Sequence, residues 1–455
     1  MSTTSILTFS ISNKGKPILI CDGYIYQLNR TRPKVKYWGC KNRMCSAYMH
    51  TDHHNQFIGK SGNHDSHLPV PESIEVVTFK EKVKNRVVNE MTAIGKIYDN
   101  ELAAGNLSEA ALGLAPLGNE AKSALNRLRR KTTPPLPKSA FFDVPDAYSS
   151  TIDGVSFLFS DTLIRKKRMI LFASDEQLRM LFAATHIMVD GTFSACVPLF
   201  DQVFSIHCIK YGYNFPCVIG LLPGRSAPVY KYVFNLLDEA ARRLNLTFQP
   251  KNIMSDYEKA LIKVIASHPR NILDVTFTIQ CLYRRIQSLG LGTLYNSNDE
   301  IRSLCRHLMA LPLLPEQHVQ SAFDELNEKI PAELEPLFEY FDDWWMKQVP
   351  IRLWNVSNLK ARTNNNVESW HSRFNKRIER KHPNVWASIN VVKKEEVHFK
   401  HQLVHANSGK LKKISQKTCV MQDKLDQLKK RYGANQIQLV EYHHQLSLLV
   451  GTKSA

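Results

Sequence analysis

Two sets of residues in this sequence have types and spacings that could do chemistry. Near the start, Cys40, Cys45, His64 and His67 form a Cys-x4-Cys-x18-His-x2-His set. Thiolates and imidazoles are the ligands of four-coordinate zinc, and a small module without a core of its own can fold around that ion. Zn2+ is therefore the expected cofactor, although a histidine-rich stretch can also be plain polar surface. Farther along, Asp190 in VDGTF and Asp256 in MSDYEKA each stand where an apolar strand ends, and Glu368 falls in the first turn of a helix opened by Asn364–Asn366. Carboxylates at strand ends can meet in one cleft and hold Mg2+ or Mn2+. Two such ions about 4 Å apart would activate an attacking oxygen and stabilise a leaving one. Taken singly, each residue also has an ordinary reading: aspartates cap helices and make Asp-Gly turns, and a first-turn glutamate answers the helix dipole.

The elements that must position these groups follow from hydrophobic pattern. Lys16–Leu28 alternates apolar and polar residues about Asp22-Gly23, the signature of a hairpin. Short strands are expected over Val35–Trp38, running into Cys40, and Ser46–Thr51, leaving Cys45, with both histidines on a loop around Gly62–Ser66. After Pro71 the pattern becomes helical over Val77–Ile97, Ser108–Leu112 and Glu120–Leu128, then ends in the basic run Arg127–Lys131 and a proline spacer to Pro137. That basic run reads as an import signal, a phosphate contact or a solvated helix end.

From Thr151 the chain turns α/β. Ile187–Val189, Gln202–Lys210, Phe215–Leu222, Asn252–Met254 and Leu273–Ile279 are expected strands, and Ala227–Leu244 and Tyr257–Ser267 expected helices. Helices are expected over Leu304–Leu311, Gln317–Lys329 and Leu334–Met346, and a tail helix over Cys419–Arg431.

Charge points to the partner. The chain has 60 Lys+Arg against 42 Asp+Glu, a net +18, and residues 1–70 hold nine basic side chains against three acidic ones. Basic faces displace counterions and bind phosphate backbones. Arg30, Arg32, Lys34 and Lys36 gather at a turn just before Trp38, and these five are the candidate DNA contacts. A second basic surface is expected over residues 391–432, with eleven basic side chains against four acidic ones. The opening MSTTSILTFS lacks a signal peptide's basic and long apolar regions, and no later run is long enough for a membrane span. A soluble intracellular protein is expected. Nine scattered cysteines fit a reducing compartment rather than a disulfide framework.

Phe9, Ser12, Lys14-Gly15, Leu19, Gly23-Tyr24, Tyr26, Tyr37-Trp38, Cys40, Cys45-x-Ala47, Thr51 and His64-x-x-His67 resemble a FLYWCH-type zinc finger over nearly its whole length. That pattern leaves His50, His53 and His54 as non-ligands. VDGTF, FDQVFSIH, the LLPG turn before Tyr230, IMSDYEKA, TNNNVESWHSRFN and His382-Pro383-Asn384-x-Trp386 resemble a Mutator-like (MULE) transposase domain. The resemblance implies an RNase H-like fold in which two aspartates and a glutamate, here Asp190, Asp256 and Glu368, bind catalytic metal and cut and join DNA. One segment departs from the family: Cys281-Leu-Tyr283 runs straight into Arg284-Arg285, as if about seven residues, roughly two helical turns, were missing.

The expected architecture is α/β. A β-rich zinc finger (1–70) is followed by a helical and Pro-rich basic linker (71–150). An RNase H-like domain (151–400) with flanking helices and a helical insertion at about 294–360 comes next, then a basic helical tail (401–455). The expected function is that of a transposon-derived nuclear DNA-binding protein of the DDE transposase type, acting alone or as a homo-oligomer. The alternative is an inactive, domesticated DNA-binding regulator.

Overall fold

A computed structural model describes residues 7–12, 15–90, 92–193, 196–255, 258–267, 279–357, 365–378, 383–410 and 416–450. The chain divides into two compact units, Met1–Pro135 and Leu136–Ala455. It is a mixed α/β chain.

The first unit opens with a six-stranded antiparallel meander. Its strands, in spatial as in chain order, are β1 (Thr8–Ile11), β2 (Pro17–Cys21), β3 (Tyr24–Thr31), β4 (Lys36–Cys40), β5 (Tyr48–Thr51) and β6 (Phe57–Ser61). The expected hairpin is β2–β3, and its turn residues Asp22 and Gly23 both have positive φ (50° and 82°), the geometry a two-residue turn between twisted strands requires. The alternating residues Leu19, Cys21, Tyr26, Trp38 and Met49 fill one face of the sheet with Ala47. Helices α1 (Pro71–Asn89), α2 (Ile94–Ala104), α3 (Glu109–Leu114) and α4 (Gly118–Thr132) follow, with Phe79, Val83, Val87, Ile97, Tyr98 and Leu125 forming a shared core. The continuous helix expected over Val77–Ile97 is broken between Asn89 and Ile94. There Arg129 of α4 donates to the carbonyls of Val87, Glu90 and Thr92, satisfying backbone acceptors that the end of α1 leaves open.

The second unit contains a six-stranded mixed sheet with spatial order β12-β9-β10-β11-β8-β7. Its strands are β7 (Leu158–Ile164), β8 (Lys167–Phe172), β9 (His186–Thr192), β10 (Gln202–Lys210), β11 (Tyr213–Leu222) and β12 (Asn252–Ser255). β9, β10 and β11 are antiparallel, and β12 runs parallel to β9 with Ser255 opposite Val189. The central strands are buried nearly throughout, so they read as apolar runs rather than alternations. Short helix α5 (Asp146–Ser149) precedes the sheet, α6 (Asp175–Phe182) and α7 (Ala227–Arg243) lie between its strands along the chain, and α8 (Lys259–Ser267) follows β12. Tyr230, Val233, Phe234, Leu237 and Ala241 give α7 a buried stripe at helical spacing.

The strand expected over Leu273–Ile279 lies outside the described residues except for Ile279, which opens helix α9 (Ile279–Ser288). Helices α10 (Gly292–Ser297), α11 (Asp299–Ala310), α12 (Val319–Asn327) and α13 (Glu335–Phe341) make up the helical body expected between the second and third carboxylates. Phe323, Phe338, Phe341, Trp345 and Trp354 join its core to that of the sheet. Helices α14 (Asn365–Ile378), α15 (Val385–Asn407), α16 (Gln416–Gly433) and α17 (Leu439–Val450) complete the chain.

Candidate metal centre and carboxylate recess

In the second unit, Asp190 lies on β9 opposite Ser205 of β10 and is 6 % exposed. Glu368 sits in the first turn of α14. An apolar stripe, Val367, Trp370, Phe374 and Ile378, seats that helix, and Val367 packs with Met188 of β9 and Met254 of β12. The adjoining stripe, Glu368, His371, Ser372 and Asn375, faces a recess of about 600 Å3 that it shares with Asp190, Gly191, Thr192, Arg284 and Lys376. The structure thus brings together two of the three carboxylates singled out in sequence. Asp256 lies outside the described residues.

The recess is held from behind by hydrogen bonds. Gly191 N donates to Asp190 Oδ1 at 2.7 Å, and His371 Nδ1 lies 3.0 Å from Asp190 Oδ2. His371 Nε2 is 3.1 Å from Ser205 Oγ, and Asn375 Nδ2 donates to Thr192 Oγ1 at 3.3 Å. On β10, buried Gln202 donates to the Tyr230 hydroxyl, which donates to Glu258 Oε2, both at 2.7 Å. Burial raises the Glu258 carboxyl above its ordinary value, and the nearby Asp201 and Asp190 charges act in the same direction.

Helix α14 is clasped to α15 through Glu395. This fully buried carboxylate accepts from Trp370 Nε1 and Arg373 Nη2, each at 2.8 Å, and from Arg377. Burying a carboxylate is costly unless it is paired and hydrogen-bonded, and here three donors from one helix do both. The sequence reading missed His371 and Asn375, although their spacing from Glu368 on one helix face was a usable signal.

In the first unit, Cys40 ends β4, Cys45 follows a tight turn, and His64 and His67 lie beyond β6. Gly62, at φ 71°, lets that last segment pass Ser46, whose carbonyl oxygen would stand 2.2 Å from a Cβ there. The four ligand atoms all lie within 4.8 Å of one another. Cys40 Sγ–His67 Nε2, Cys45 Sγ–His64 Nδ1 and His64 Nδ1–His67 Nε2 are each 3.3 Å. With Zn–S about 2.3 Å and Zn–N about 2.0 Å, a tetrahedral ion sets nitrogen pairs about 3.3 Å apart and sulfur–nitrogen pairs about 3.5 Å apart. The set therefore fits zinc.

The outer partners agree with this assignment. His64 Nε2 meets the Tyr26 hydroxyl at 2.7 Å and His67 Nδ1 donates to the Leu68 carbonyl at 3.1 Å, which leaves one nitrogen of each ring turned to the cysteines. Tyr24 stacks on His64 with centroids 3.5 Å apart.

Residues 9–67 match the FLYWCH zinc finger domain. No curated protein matches the chain. A FLYWCH finger with this Cys/His cluster supports Zn2+ as cofactor and suggests binding to DNA. Among the described residues, no helix is long and apolar enough to cross a membrane.

Arg30, Arg32 and Lys34 are exposed around the β3–β4 turn of the finger. Lys36 is half-buried and donates to His53 O at 3.1 Å and Asn55 Oδ1 at 2.9 Å. Trp38 corrects the expectation from sequence. It is 2 % exposed, inside the sheet's core, and its indole donates to Thr51 Oγ1 at 2.9 Å, so it has no ring face to offer a base.

Proposed function

We propose that this chain is a nuclear DNA-binding protein of the Mutator-like transposase type. The FLYWCH finger holds DNA, and an RNase H-like second unit binds Mg2+ or Mn2+ through Asp190, Glu368 and Asp256 to cut a strand. The observation that carries this reading is the shared recess: a carboxylate on the interior strand β9 and one on α14, far apart in sequence, line the same cavity. The β9-β10-β11 antiparallel run, with parallel β12 beside β9, is the arrangement expected of an RNase H-like sheet and supports it. In such a site the metal ions would supply an activated water and a stabilised leaving oxygen.

The test is nicking of supercoiled plasmid DNA by the full chain with Mn2+ or Mg2+. Wild type should nick, whereas Asp190→Asn and Glu368→Gln should not while still binding DNA.

One observation favours the second reading, a DNA-binding regulator that does not cut. Both Asp190 oxygens already take hydrogen bonds, Oδ1 from Gly191 N and Oδ2 from His371 Nδ1. Wild-type protein that binds plasmid and never nicks it would establish that alternative.

A further inference from the structure

We infer that Arg284 and Lys376 form a two-sided clamp that holds a phosphodiester group of a nucleic-acid strand across the carboxylate recess. The inference rests on reading that recess as a strand-cutting site.

Arg284 reaches the recess because of how α9 is seated. Leu282 and Ile286 are fully buried in the core, and the Arg285 guanidinium lies 4.7 Å from the Tyr340 ring centroid. Those contacts fix the helix and leave Arg284 exposed at the cavity wall. Lys376 is likewise exposed, on α14, one turn beyond Ser372. Neighbouring arginines are occupied: Arg285 by Tyr340, and Arg373 and Arg377 by Glu395. Among the described residues, Arg284 and Lys376 make no ion pair with either carboxylate of the recess they line.

The cavity therefore presents cations and neutral donors (Arg284, Lys376, Ser372) beside the acceptors Asp190 and Glu368. An anion is the group that satisfies the cations without neutralising the carboxylates. A phosphodiester carries two non-bridging oxygens; a guanidinium can take both in a fork, and an ammonium adds a second charge from the other helix. A volume of about 600 Å3 admits a nucleotide-sized piece of strand.

The experiment measures binding of a labelled single-stranded oligonucleotide to the zinc-loaded full chain over a KCl series, without added Mg2+ or Mn2+. Each lost phosphate contact should flatten the log K against log[salt] slope by about 0.7. Arg284→Ala and Lys376→Ala should each show that loss, and the double variant about twice it. Arg284→Lys keeps the charge, so it should keep the slope while binding several-fold more weakly through the lost fork.

Slopes equal to wild type in both alanine variants would overturn the clamp, as would an Arg284→Lys variant that behaves like Arg284→Ala. Plasmid nicking is scored separately. Altered slopes with no wild-type nicking would leave the clamp standing and remove the strand-cutting reading; nicking with unaltered slopes would do the reverse.

Discussion

His371 Nδ1 stands 3.0 Å from Asp190 Oδ2, and the other nitrogen of the same ring stands 3.1 Å from the hydroxyl of Ser205, the residue paired with Asp190 across the strands. One imidazole from α14 thus ties the carboxylate to the neighbouring strand, and the helix that carries Glu368 is the helix that orients Asp190. Partners that orient metal-ligating carboxylates commonly affect affinity by about 10–100-fold. If the recess holds Mn2+ as proposed, His371→Leu should weaken its binding by that order. His371→Asn, whose amide nitrogen can occupy the position of Nδ1, should restore most of it, as read by isothermal titration on the full chain. Equal losses in the two variants would mean that the ring only packs.

Zinc should hold the finger together while leaving the second unit alone. Cys45→Ser removes a ligand from a set whose donor distances fit the ion, so zinc content by mass spectrometry should fall and amides of β1–β6 should lose protection from hydrogen exchange. Amides of β9–β11 should keep theirs. Tyr26→Phe removes only the partner of His64 Nε2 and should cost about 10–100-fold in zinc affinity without unfolding. Full zinc occupancy in the Cys45 variant would count against the four-ligand assignment.

Gly191, next to Asp190, admits no larger residue without movement. A Cβ there would stand 2.2 Å from Gln202 Oε1, and Gln202 is the fully buried residue that holds Tyr230 and, through it, Glu258. Gly191→Ala should therefore destabilise the second unit by about 1–3 kcal/mol in urea unfolding. Adding Gln202→Ala removes the clashing atom, so the double variant should be more stable than the sum of the single losses implies. Strict additivity would show that the clash relaxes elsewhere.

Much of this was legible in the sequence because it depends on short range. The β2–β3 hairpin follows from Asp22-Gly23 between alternating strands, and the four zinc ligands follow from spacing. Edge strands were harder. β6 (FIGKS) is largely exposed, the apolar residues of β7 (LFSDTLI) do not alternate with polar ones, and β1 is only four residues long. Trp38 misled for a related reason: it follows a run of exposed cations, yet the strand's alternation turns it inward while its neighbours Tyr37 and Gly39 are half-buried. Glu395 is one of a few acidic residues in a basic segment, and its partners Trp370, Arg373 and Arg377 come from another helix. Partners so distant in the chain leave no local pattern.

Removing that buried carboxylate should loosen α14 from α15. Glu395→Ala strands two arginines that are half-exposed and an indole that is buried, and breaking a buried pair typically costs about 3–5 kcal/mol. Denaturant unfolding should show a loss of that order. Because α14 also carries Glu368 and His371, the Mn2+ binding proposed for the recess should weaken in the same variant under conditions where it remains folded. A stability loss below about 1 kcal/mol would place the clasp among pairs that solvent replaces readily.

The C-terminal helix α17 docks on α11 through a histidine that folding keeps neutral. His443 is nearly buried, its Nε2 donates to the His307 carbonyl at 2.9 Å, and the two rings meet edge to face with centroids 5.0 Å apart. Burial pushes its pKa down to about 4; the His307 and His444 charges act in the same direction, against the hydrogen bond to His307 O and the Glu325 charge. Between that value and the ordinary value of about 6.5, the unfolded chain binds a proton that the folded chain does not. Stability is thus fully present above about pH 6.5 and is lost as pH falls through about 4, by about 3 kcal/mol in all from this one side chain. His443→Gln keeps an amide donor near Nε2 but cannot charge, so its unfolding free energy should fall less steeply than that of wild type between pH 6.5 and 4.5. Parallel pH profiles for the two proteins would show that His443 takes up its proton without disturbing the helix.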